Sequence, residues 1–95
     1  MNKYEIGVIL KASLEEEALK AELDRVQDLI TRFGGAIEKV DEWGRRRLAY
    51  EIDKQTEGVY YFITFSAESP VPAEIESRVR IFETVIRYLI VRLEA

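Results

Sequence analysis

The run Trp43-Gly44-Arg45-Arg46-Arg47-Leu48 gathers the side chains of this chain best suited to recognition chemistry. A guanidinium presents a planar fork of N–H donors that matches the paired oxygens of a phosphate, so three in succession suit a polyanion backbone. In an extended strand neighbouring side chains alternate, which sends Arg45 and Arg47 to one face and Arg46 to the other. Trp43 offers a flat π surface for a base or a guanidinium. Asp41 and Glu42 stand just before the run, and a solvated charge stretch partly neutralised by them is the competing reading. Bond-breaking chemistry has far less to work with. The chain has no His and no Cys, which removes the usual general base near neutral pH, thiol nucleophiles and the commonest metal ligands. No metal-ligand spacing or cofactor motif is present, and Glu15, Glu16 and Glu17 read as acids at the positive end of a helix. No catalytic residue, metal, cofactor or small-molecule substrate is therefore expected.

Holding these side chains in place falls to one domain's worth of polypeptide, residues 1–95. Hydrophobic residues make up 47% of it and charged residues 34%, with only 5 Gly and 2 Pro, which supplies a core and argues against disorder. The net charge of −4 argues against nucleic-acid binding by bulk charge and leaves a local basic patch as the route. Besides the arginine run, Arg78, Arg80, Arg87 and Arg92 crowd the last quarter of the chain. No apolar stretch approaches the roughly 18–20 residues of a membrane span, and Met1-Asn2-Lys3-Tyr4-Glu5 has no signal-peptide pattern. The expectation is a cytoplasmic protein with no membrane partner.

Tyr4, Ile6, Val8 and Leu10 recur with the period of a strand. Ser13 and Glu16 fit a capping box opening a helix from about Leu14 to Phe33, whose stripe is Leu19, Leu23, Val26, Ile30 and Phe33 and whose stop is Gly34-Gly35. Ala36 to Trp43 reads as a strand with a bulge. Gly44 bends it, and it resumes at Arg46 with Leu48, Tyr50 and Ile52 in step. A polar loop from Asp53 to Gly58 leads to a third strand, Val59 to Ala67, rich in aromatic and β-branched residues. Pro72 suits the first turn of a second helix, with Ile75, Val79 and Phe82 on its buried side, and Val85 to Leu93 is the last strand.

The order strand, helix, strand, strand, helix, strand predicts an α+β, ferredoxin-like sandwich: a four-stranded antiparallel sheet with both helices on one face. Tyr4, Ile6, Val8, Tyr61, Ile63, Phe65, Tyr88 and Ile90 supply the covered face. By parity Ile9, Tyr60, Phe62, Leu89 and Val91 fall on the other, where no helix remains to cover them. Burying each would contribute roughly 1.5–3 kcal/mol, so a contiguous patch of them points to a protein partner. The same element order belongs to the RNA-recognition motif, but Glu57-Gly58-Val59-Tyr60-Tyr61-Phe62-Ile63-Thr64 opens on an acid and lacks that motif's aromatic spacing. Acylphosphatases share the architecture but need a Gly-rich loop with an Arg after the first strand, where this chain has Lys11-Ala12-Ser13.

Tyr4-Glu5, the segment Gly44-Arg45-Arg46-Arg47-Leu48-Ala49-Tyr50, then Ile52, Lys54 and Gly58 with Tyr60 together resemble the ribosomal protein S6 family of the bacterial small subunit, along essentially the whole chain. Glu51 stands where that family usually has Pro, and the sequence reaches Leu93-Glu94-Ala95 without the charged tail many members carry. The resemblance implies a structural protein that binds the central domain of 16S rRNA at the platform and pairs with ribosomal protein S18. On that reading Arg45, Arg46 and Arg47 contact phosphate, helped by Lys3, Tyr4, Arg87 and Arg92, and the face of Ile9, Tyr60, Phe62, Leu89 and Val91 takes the protein partner. The free chain is expected to be monomeric. The alternatives, both without RNA function, are a stand-alone interaction module of the same fold that dimerises through its open sheet and an engineered scaffold with no native partner.

Overall fold

Alternation along β1 (Asn2–Lys11) buries Tyr4, Ile6, Val8 and Leu10 and leaves the residues between them partly exposed. The computed structural model describes residues 1–52 and 54–93, and places after β1 the elements α1 (Glu16–Arg32), β2 (Ala36–Ile52), β3 (Gln55–Ala67), α2 (Val71–Val79) and β4 (Val85–Arg92). The strands form one antiparallel sheet in the order β2-β3-β1-β4. The buried residues of β1 and β3 share one cluster with Leu23, Val26, Leu29 and Ile30 of α1 and with Ile75 and Val79 of α2. Both helices therefore cover a single face, and the architecture is the ferredoxin-like sandwich.

The register sets which residues share that face. Tyr4 lies opposite Phe65, Ile6 opposite Ile63 and Val8 opposite Tyr61, while on its other side β1 sets Ile6 beside Ile90 and Val8 beside Tyr88. All eight residues expected on the covered face are thus in phase, and Tyr88 and Ile90 pack against the core from the edge. The helical stripe holds with one addition, Leu29, which lies beside Ile30 and is also buried.

Three local features differ from the sequence reading. The capping box does not form: α1 starts at Glu16, its N-cap is Glu15, and no side chain caps it. A turn closed by the Leu14 N–H on the Lys11 carbonyl sets Ser13 too early in the chain, and Glu16 and Glu17 complement the helix dipole instead. β3 begins at Gln55 rather than Val59, because Arg45, Arg46 and Arg47 pair with Val59, Gly58 and Glu57 and carry the ladder into the polar segment. Asp53 of the expected loop lies outside the described residues, and Lys54 takes a left-handed φ of 64° in the connection. Finally, α2 ends at Val79, and Phe82 reaches the core from a turn in which its N–H donates to the Val79 carbonyl.

Val26 and Ile30 are fully buried, so Val26→Ala or Ile30→Ala should cost about 1–4 kcal/mol through lost burial and the cavity left behind. Glu17 is exposed, and Glu17→Ala should cost less than about 0.5 kcal/mol. Denaturant midpoints of the three variants check this; equal midpoints would contradict the packing of α1.

Candidate nucleic-acid and partner-protein interface

Gly44 holds a φ of 80°, and the β2–β3 register slips between Glu42 and Gly44. An extra residue in one strand re-aims its neighbours. Trp43, at this slip, lies on the ring of Phe62 with centroids 4.6 Å apart and remains 54% exposed. Phe62 in turn lies over Gly7, where an added Cβ would come within 2.8 Å of the Phe62 ring. Gly7 is thus the bare floor on which the aromatic pair sits.

β1 ends at Lys11 opposite Gly58, so the β2–β3 ribbon beyond that point has no third strand beside it. A two-stranded ribbon twists more strongly than a full sheet. Here it curls onto the face opposite the helices. Leu48 is buried and, with Ile9, closes over the Cα of Gly58. The Tyr50 hydroxyl accepts a 3.0 Å hydrogen bond from Nη1 of Arg87, on the far edge strand.

The open face carries two rows that are apolar but for Arg87. Phe62, Gly7 and Leu89 are side by side across β3, β1 and β4, and Tyr60, Ile9 and Arg87 form the next row. Between them lies a depression of about 340 Å³ lined by Gly7, Ile9, Tyr60, Phe62, Arg87 and Leu89 among others. Leu89 is 66% exposed; Val91 extends the patch beside Glu5. Ile9 is half-buried, with Leu48 as its neighbour over Gly58. Trp43, Leu48 and Tyr50 were absent from the patch read by parity. The Leu48 and Tyr50 parity was legible, but the curl that brings them over the sheet was not.

The basic residues divide into two groups. Arg45 pairs opposite Val59 and its Nη1 donates to the Ala12 carbonyl at 3.1 Å; Arg46 lies over Trp43 with 5.9 Å to the ring centroid; Arg47 pairs opposite Glu57. With Arg87 they stand at the ribbon end of the sheet. Lys3 and Arg92 stand at the other end: Lys3 forms a 3.3 Å ion pair with Glu38, and Arg92 donates to Asn2 Oδ1 at 3.0 Å. Arg87 and Arg92 are five positions apart on β4, roughly 17 Å at about 3.3 Å per residue. Tyr4 belongs to neither group. It is only 6% exposed and its ring stacks on Phe65 at 5.6 Å, because its strand parity turns it toward the helices. It is a core residue, which sets it apart from the other, more exposed residues expected to contact RNA.

Electrostatics at the Lys3 end are self-contained. The Ser66 hydroxyl donates to the Glu38 carboxylate and, with Lys3, holds its pKa below the usual carboxylate value. Burial, with help from the Glu42 and Glu16 charges, pushes the Tyr61 hydroxyl up. No cluster of His, Cys, Asp or Glu among the described residues could hold a metal ion.

Residues 3–92 match the family model described as ribosomal protein S6. The chain belongs to the ribosomal protein S6 family. It is 50% identical over 94 residues to the small ribosomal subunit protein bS6 of Alkaliphilus oremlandii and 45% identical to that of Clostridium acetobutylicum, with 99% of each chain covered in both cases. The crystal structure of 30S ribosomal protein S6 from Thermotoga maritima superposes with a TM-score of 0.92 at 33% identity, covering 97% of this chain and 87% of that one. The S6 family is a structural, non-enzymatic family of the bacterial small ribosomal subunit, whose setting is the cytoplasm.

Ser66→Ala removes the main group holding the Glu38 carboxylate in its charged form. The Glu38 carboxyl carbon, followed by NMR across an acid titration, should then titrate closer to the ordinary value of 4.5. An unchanged midpoint would leave Lys3 as the sole cause.

Proposed function

We propose that this S6-family protein binds 16S rRNA in the central domain of the small subunit and pairs there with ribosomal protein S18. The observation that carries this reading is an adjacency. On a chain of net charge −4, the arginine run sits where the β2–β3 ribbon leaves β1, with Arg45 and Arg46 level with its last residues and Arg47 just past them, and the ribbon curls over an uncovered apolar face. Phosphate contact falls to Arg46 and Arg47, with Arg45 and Arg87 beside them. Arg45 and Arg87 each already make one hydrogen bond that orders the side chain and leaves other donors for phosphate. Lys3 and Arg92 stand apart from them at the other end of the sheet, on opposite faces. The protein partner covers Tyr60, Phe62, Leu89 and Val91, with Ile9 in the floor and Trp43 at the rim.

Replacing Arg45, Arg46 and Arg47 with Ala should weaken assembly onto rRNA in the presence of S18. Each lost phosphate contact should flatten the log–log salt dependence by roughly 0.7–0.9. An unchanged slope, measured by filter binding across a salt series, would return the run to solvated surface.

Leu89→Asp tests the other face. In the free chain the new carboxylate stays in water, and stability should change by less than about 0.5 kcal/mol. In the complex it is desolvated without a partner, and S18 affinity should fall at least about tenfold. Calorimetric titration together with thermal unfolding reads both. Unaltered S18 affinity, or a free chain that sediments as a dimer disrupted by Leu89→Asp, would assign the face to something other than S18.

A further inference from the structure

On the helical side of the molecule a second group of arginines converges. Arg25 and Arg32 of α1 and Arg78 of α2 line a depression of about 250 Å³, with Leu29 and Phe82 in its wall and Asp28 as the one acid in its lining. Two of the guanidiniums lie over aromatic rings contributed by the other helical segment. Arg25 is 3.9 Å from the centroid of Phe82, and Arg78 is 5.6 Å from that of Phe33. Stacking occupies the face of a guanidinium and leaves its N–H edge for a ligand. It also orders a long side chain in advance, which lowers the entropy lost when something binds.

The donors of these arginines are largely unspent. The helix-end carbonyls nearby are taken by backbone: Phe33 N–H donates to Leu29, Gly34 to Thr31, Gly35 to Ile30, Ile81 to Arg78 and Phe82 to Val79. Among the described residues the only ion pair of the three is Arg25 with Glu22 at 3.6 Å. Arg32 and Arg78 occupy the last turns of their helices, where a cation complements the helix dipole. That accounts for one basic residue at each helix end. It does not account for their convergence with Arg25 on one depression in an acidic chain.

We infer that this groove is a second anion site, distinct from the ribbon and open face, that takes a phosphate ester. Three guanidiniums around a space of this size suit one or two phosphate groups by charge-assisted, partly bidentate hydrogen bonds. Ile81, in the lining and 71% exposed, supplies an apolar shelf for an attached sugar or base. The ester belongs either to an RNA backbone or to a free nucleotide, and both present the same oxygens.

The test is NMR of the full chain with 15N-labelled arginine, following the Nε–H signals while inorganic phosphate, adenosine diphosphate or a short single-stranded RNA is added. The expected result is a saturable shift of Arg25, Arg32 and Arg78 that precedes any shift of Arg80, an exposed arginine outside the groove. Shifts with RNA alone assign an RNA backbone, and shifts with the diphosphate alone assign a free nucleotide. Arg32 braces no aromatic ring, so Arg32→Gln should keep the helical circular dichroism and weaken the effective probe about tenfold. Absence of a saturable shift with all three probes, equal shifts at Arg80, or unchanged affinity in Arg32→Gln would overturn the site.

Discussion

Burial of one residue in two along β1 and β3 against α1 and α2 is the constraint on which the rest of this structure depends. Ile6, Ile63 and Phe65 from the sheet, Val26 and Ile30 from α1, and Ile75 and Val79 from α2 are fully buried in one cluster. Period-two geometry makes that cluster possible and also commits the intervening residues to the opposite face. Two helices cover one face of a four-stranded sheet. Phe62, Tyr60 and Leu89 are therefore left over as a direct consequence of turning Tyr61, Ile63 and Ile90 toward the helices. The apolar face offered to a partner and the core that stabilises the domain are two results of one alternation.

The unequal lengths of the strands do the rest. β2 and β3 run past the end of β1, and the bulge at Gly44 together with the free twist of the ribbon folds that overhang back across the sheet. Leu48 anchors it over Gly58 and Ile9, and Tyr50 ties it to Arg87. The arginine run, at the root of that overhang, thereby lies beside the apolar patch. Phosphate contacts depend on charge and salt, while apolar contacts depend on area removed from water, so adjacent surfaces of the two kinds select a partner by different physics.

Charge is distributed by the same economy. Acids fill the first turn of α1, and Glu38 is satisfied by Ser66 and Lys3. Most of the arginines collect near the ribbon and in the groove between the helical segments, which makes an acidic protein locally basic in two places.

The sequence alone determined the element order, the fold class, the helical stripe of α1 and the assignment of residues to sheet faces, because these follow from periodicities of 2 and 3.6 that every residue reports independently. It also carried the family, since Gly44-Arg45-Arg46-Arg47-Leu48-Ala49-Tyr50 is local in the chain. Element ends were less legible: Ser13 lost its cap to a turn, and Gln55 joined a strand because a partner strand was there to pair with it. What only the tertiary structure decided were relations between residues far apart in sequence. Parity set Tyr4 on the covered face while the resemblance counted it among the RNA contacts, and its packing on Phe65 with only 6% exposure decided between the two. Tyr50 met Arg87, Trp43 met Phe62 over Gly7, and Arg25 and Arg78 exchanged aromatic partners across two helical segments. Periodicity states which way a side chain faces, but strand overhang, twist and helix packing decide what it finds there.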